Sequence, residues 1–188
     1  MTRRRRSGRP EAGEYAAYAA EDVARVRGDD AVEALERQGA ETLALLSALS
    51  DENVRGLAYA PGKWTFKEVV GHLADDERIF VYRALCVARG DAAPLPGFDE
   101  KGYVASAGFE ARPLAELADE LRSVRRASLA FFAGLPPEAW ARRGTVNGYE
   151  ATVRGLAFHV AGHELRHVRA LRETYLGART RASRGEET

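Results

Sequence analysis

The chain has 188 residues, of which 45% are hydrophobic and 30% charged, a length and composition suited to one domain with a sizeable core. Its 28 basic and 28 acidic side chains balance, so no global basicity argues for nucleic acid. Cys86 is the one cysteine, which excludes an intrachain disulfide and a CxxC-type zinc site, and no stretch approaches the ~18 uninterrupted apolar residues of a membrane span.

Residues 1–13 read as a disordered basic tail, with Arg3 to Arg6 and Arg9 set among Gly and Pro and little to bury. No apolar run follows these arginines, so they do not make a secretory signal, and a cytoplasmic location is the expectation. Residues 14–27 predict a short helix closed by Gly28. Asp29 or Asp30 can cap a longer helix to about Ser47, with Leu35, Leu43, Leu46 and Leu49 as its apolar stripe. Pro61-Gly62 breaks the chain. Thr65 followed by Glu68 fits a capping box, opening a helix to about Arg89 that Gly90 can terminate. Val69, Leu73, Phe80 and Ala84 line its core face.

Residues 90–112 hold two prolines and four glycines and show no sustained period. They read as an irregular connection, of a length that often serves as a lid or crossover. Pro113 suits the first turn of a helix that Gly134 ends. Pro136-Pro137 starts a short turn or single helical turn carrying Trp140. Asn147-Gly148 is a turn signal, although its flanks are too short to predict a sheet. Thr152 opens the last helix, Gly177 closes it, and residues 179–188 read as a frayed charged tail. Four long helices without a convincing strand predict an all-α four-helix bundle, one domain over residues 14–178, with sites built from side chains on facing helices. A faint repeat runs through it. Leu49 precedes Thr65 by 16 residues and Leu135 precedes Thr152 by 17, with His72 and His159 each seven residues past the threonine.

The histidines are concentrated. Three of the four, His159, His163 and His167, are spaced four apart and share one face of the last helix; His72 stands far upstream. Neutral imidazole is the commonest metal ligand, so a helical pair with a third donor from elsewhere points to a metal site. His163-Glu164-Leu165-Arg166-His167 is literally H-E-x-x-H, where a zinc protease would use Glu164 to activate water. The protease reading is weak. Its metzincin extension would place glycine where Ala170 stands and histidine where Glu173 stands, and the sequence predicts no strand to align a peptide. His72 is the better third ligand, and three histidines with open positions make a catalytic-type site. Asp76, one turn past His72, can ligate or orient an imidazole from behind, or be a solvated charge. For His159 a fourth ligand, a supporting donor and a core histidine stay open, with a non-ligand role preferred.

Gly62-Lys63-Trp64-Thr65, Gly71-His72-Leu73-Ala74-Asp75 and Ala161-Gly162-His163-Glu164-Leu165-Arg166-His167, in that order, resemble the DinB/YfiT-like superfamily of bacterial four-helix metalloenzymes over roughly residues 30 to 177. The resemblance implies a divalent metal, nickel, zinc or similar, held by His72, His163 and His167, and a homodimer. Relatives with assigned activities include thiol-dependent transferases and isomerases, which implies a small-molecule substrate with a low-molecular-weight thiol as co-substrate. Many relatives follow the final histidine with Arg-Gly-Gln, whereas Val168-Arg169-Ala170 stands here, a departure that bears on substrate chemistry. Arg78, Arg83 and Arg169 are candidates for an anionic part of the substrate, although an exposed arginine with no ligand is the commoner case. Tyr82 and Tyr103 are candidate proton donors for which core packing is preferred, Cys86 reads as a small helix-packing residue, and Trp64 and Trp140 read as core anchors.

Overall fold

The computed structural model describes residues 7–177. In chain order its helices are α1 (Ala20–Arg25), α2 (Ala31–Ser47), α3 (Asp51–Val54), α4 (Phe66–Ala88), α5 (Glu100–Ala107), α6 (Leu114–Ala133) and α7 (Val153–Ala170), the last continuing as a π-helical turn over Leu171–Leu176. A hairpin of β1 (Arg143–Val146) and β2 (Tyr149–Thr152) precedes α7. Local chemistry sets the long helices. Asp30 accepts from the N–H groups of Val32 and Glu33, Thr65 and Glu68 close their capping box, and Thr152 accepts from Gly155.

The long helices α2, α4, α6 and α7 form the bundle. α4 packs against α6 and α7, and so does α2, which leaves α2 diagonal to α4. Two apolar clusters fill the interior, one around Leu35, Phe80, Phe132, Trp140 and Phe158, the other around Leu46, Phe66, Phe109, Leu117 and Leu171. A polar layer separates them. Each helix breaks its apolar stripe at the same height, α2 with Gln38 and Thr42, α4 with Asp76 and Glu77, α6 with Arg125 and Ser128, and α7 with His163 and Glu164, all of them buried.

Several expectations are corrected. The connection 90–112 carries α5, capped by Asp99 and ended by Gly108 at φ 66°, then a short 3-10 turn that buries Phe109. It escapes periodicity because Val104 is the one buried residue of α5. The Asn147-Gly148 turn does join two strands, with both residues at positive φ as a type I′ hairpin requires, and Leu95 docks beside Val146. The N-terminal tail is placed from Ser7 onward. Arg9 donates to the carbonyls of Val23, Val26 and Gly28 at 2.8–3.0 Å, satisfying the C-terminal end of α1. α1 then lies along α7, where a Cβ on Gly162 would collide with the backbone of Asp22 and one on Gly155 with that of Glu14. Tyr82 and Tyr103 are exposed, and Trp64 is half-buried where Trp140 is fully buried. Residues 1–6 and the expected tail 179–188 lie outside the described residues.

Candidate metal centre

The seam between α4 and α7 brings three histidines together. His72 comes from the middle of α4, and His163 and His167 come from successive turns of α7. One ligand atom from each lies within 4.8 Å of the others. His72 Nε2 and His163 Nε2 are 3.2 Å apart, and the ring centres of His163 and His167 are 4.5 Å apart. Two ligands of a tetrahedral ion with bonds of 2.0–2.1 Å stand about 3.3 Å from each other, so the closer pair already has that separation. Trp64, just before α4, packs its ring 4.8 Å from that of His72.

Burial sets the protonation of the three. It pushes His72 down to about 4 and His167 down to about 3, and the nearby charge of Arg166 adds to it. His163 is held well below the usual histidine range by burial and by its histidine neighbours. All three imidazoles are therefore neutral near pH 7, with lone pairs available to a metal. Three such donors converging with no carboxylate among them fit zinc, nickel or a similar divalent ion.

The other candidates separate. Asp76 Oδ2 lies 3.3 Å from His163 Nδ1, buried and without a hydrogen-bond partner among the described residues, and burial raises its pKa to about 8. His159 stays out of the cluster. Its ring lies 4.2 Å from that of Phe80, and its buried Nδ1 has no partner among the described residues. Glu164 faces the opposite way. Its carboxylate accepts from Thr42 Oγ1 at 2.7 Å and from Arg125 Nη2 at 2.9 Å, and Arg125 also grips Glu77. The water-activating role of a zinc-protease glutamate is thus closed to it. Arg169 is at the surface with Glu173, and Arg78 pairs with Asp75 and Glu120.

Two cavities flank the cluster. One of about 450 Å³ reaches His163 and is lined by Tyr18, Asp76, Phe80, Arg83, Phe98 and His159, among others. The second, of about 650 Å³, reaches His167 between Tyr59, Lys63, Trp64, Lys101 and Tyr175. Glu100 and Arg166 border both. Tyr18 and Phe98 were not singled out in the sequence, and Asn147 was read only as part of a turn. The Asn-Gly signal marked a turn, but nothing local says that this turn meets the residues before α5.

A family model described as the DinB superfamily matches residues 34–171. The chain belongs to the DinB superfamily. The match covers α4, α6 and α7, all but the first three residues of α2, and the three clustered histidines of this DinB-superfamily chain. Among solved structures it is similar to YfiT from Bacillus subtilis, described as a probable metal-dependent hydrolase with an unusual four-helix bundle topology. The TM-score is 0.69 and the identity 17%, with 81% of this chain and 86% of that chain covered. A likeness at that identity establishes the shared fold. No curated protein matches the chain.

Proposed function

We propose that this chain is a metal-dependent enzyme acting on a small molecule, of the hydrolase or thiol-dependent transferase type, with a divalent ion held by His72, His163 and His167. The observation that carries this is the meeting of three imidazoles beside two cavities large enough for small molecules. A bound divalent ion supplies a lowered pKa to a coordinated water or thiol, giving a nucleophile near neutral pH.

The protein's own part is positional. Burial keeps the histidines unprotonated, the Trp64 ring packs against His72, and Asp76 stands where it would accept from His163 Nδ1–H and fix that ring's tautomer. The larger cavity supports a co-substrate, with Lys63 and Lys101 on its wall to favour an anionic one. The thiol itself rests on the family resemblance. So does a homodimer, part of the same proposal, for which light scattering at micromolar concentration should give twice the chain mass.

Elemental analysis of untagged protein, purified without chelator, tests the centre. We expect near-stoichiometric divalent metal that is lost in His163→Ala, and turnover across a panel of ester, amide and thiol-acceptor substrates that chelation abolishes. Protein that neither carries nor takes up zinc or nickel would leave the histidines structural. Metal-replete protein without turnover would make the chain a binding protein.

A further inference from the structure

Of the three arginines that the sequence offers to an anionic substrate, two are engaged at the surface and one is not. Arg83 is 3% exposed and forms the wall of the smaller cavity. Its Nη2 donates to the Pro96 carbonyl at 2.7 Å. Its guanidinium carbon lies 4.6 Å from the centre of the Phe80 ring and 5.6 Å from that of Phe98. Among the described residues no carboxylate comes within the 4.0 Å of an ion pair. A guanidinium stays protonated even where burial lowers its pKa, so this is a buried charge with no counter-charge in contact, a costly arrangement.

None of the carboxylates around the cavity contacts it. Asp22 is committed to Arg25 and Arg166 and Glu21 to Arg25, Glu100 is exposed, and Asp76, set against His163, acts on Arg83 through space without an ion-pair contact. The setting is also built. Leu95 N–H donates to Thr145 and Asn147 N–H donates to Leu95, which ties the segment carrying Pro96 to the hairpin. Tyr18, from the N-terminal segment, and Asn147 complete the wall. Pro96 and two rings thus hold a guanidinium that still has donors to offer.

We propose that the smaller cavity receives an oxyanionic group of the substrate, carboxylate or phosphate, on the guanidinium of Arg83. Tyr18, Phe80 and Phe98 enclose the skeleton next to it, and the reacting end turns toward His163. This names the substrate class for the histidine centre and rests on that reading for the chemistry, although the binding step does not need the metal.

Isothermal titration of the full chain with benzoate, phenyl phosphate and neutral benzamide tests it, in zinc-loaded and chelator-treated form, beside Arg83→Gln and Arg83→Lys. At least one of the two anions should bind the chelator-treated wild type ten-fold or more tightly than benzamide, and the tighter anion identifies the group. Arg83→Gln should lose that preference and Arg83→Lys should keep part of it. Benzamide binding as tightly as both anions, neither anion binding at millimolar concentration, or a preference that survives in folded Arg83→Gln would overturn the proposal. If Arg83→Gln does not fold, the wild-type comparison of anion with amide decides. Absent metal uptake would sink the metal centre without touching this result.

Discussion

Neighbouring residues in the polar layer serve opposite sides of the bundle, because successive helix positions point about 100° apart. On α7, His163 turns to the seam with α4 while Glu164 turns to Arg125. On α4, Asp76 turns to His163 while Glu77 turns to Arg125. Substitutions at adjacent positions should therefore fail differently. Asp76→Asn keeps the volume and replaces the carboxyl that faces His163 Nδ1, so zinc affinity should fall about 10- to 100-fold with little change in the fold. Competition with a chromophoric chelator reads this, and an unchanged affinity would remove Asp76 from the site. Arg125→Met leaves Glu77 and Glu164 buried without their counter-charge and should cost about 3–5 kcal/mol. Urea denaturation measures the loss, and the metal stoichiometry of the folded fraction should stay as in the wild type.

At the scale of elements, the N-terminal segment is a working wall of the smaller cavity although it precedes the bundle. It is held to α7 by Glu14, whose carboxylate accepts from Arg154 at 2.7–3.0 Å and whose carbonyl accepts from Thr152 N–H at 2.9 Å. Burial raises the Glu14 pKa, but the Arg154 hydrogen bonds, the Glu11 N–H and the charges of Arg154 and Arg143 outweigh it and hold it below 4.5. A depressed carboxyl stabilises the fold above its unfolded pKa and loses that contribution as pH falls through the folded one. Wild type should exceed Glu14→Gln in stability at pH 7, with the gap closing as pH drops below about 4.5. Denaturant midpoints across that range check it, and a gap independent of pH would assign the effect to packing alone.

The whole molecule places its three-histidine cluster in a layer that interrupts the core, where polar groups need partners. Glu77, Glu164 and Arg125 partner one another on one side. On the other side the histidines have chiefly each other, so a ligand that bridges them should act on the entire fold. A metal bound by the native state alone raises stability by RT ln(1 + [L]/Kd), about 2.7 kcal/mol when free metal is 100 times Kd. Zinc or nickel should raise the melting midpoint of wild type, chelator should reverse the shift, and His72→Ala should not respond. A wild-type melt indifferent to both would count against the centre.

Much of this was legible because its causes are local. Thr65 with Glu68, Asp30 and Thr152 mark helix starts by satisfying N–H groups within three residues, and a four-residue spacing puts His163 and His167 on one face whatever surrounds them. The short α5 buried too little to show a period, so it was invisible until the tertiary fold gave Phe109 and Val104 something to pack on. Which way Glu164 turns depends on α6 being beside it. Arg83 looks like Arg78 and Arg169 in the sequence, and burial alone sets it apart. The pattern of caps, stripes and histidines determined a helical bundle and its three-histidine candidate set. Only packing decided which charges were paired, which were left facing a cavity, and that the N-terminal segment and the hairpin form its wall, because those outcomes depend on contacts between residues far apart in the chain.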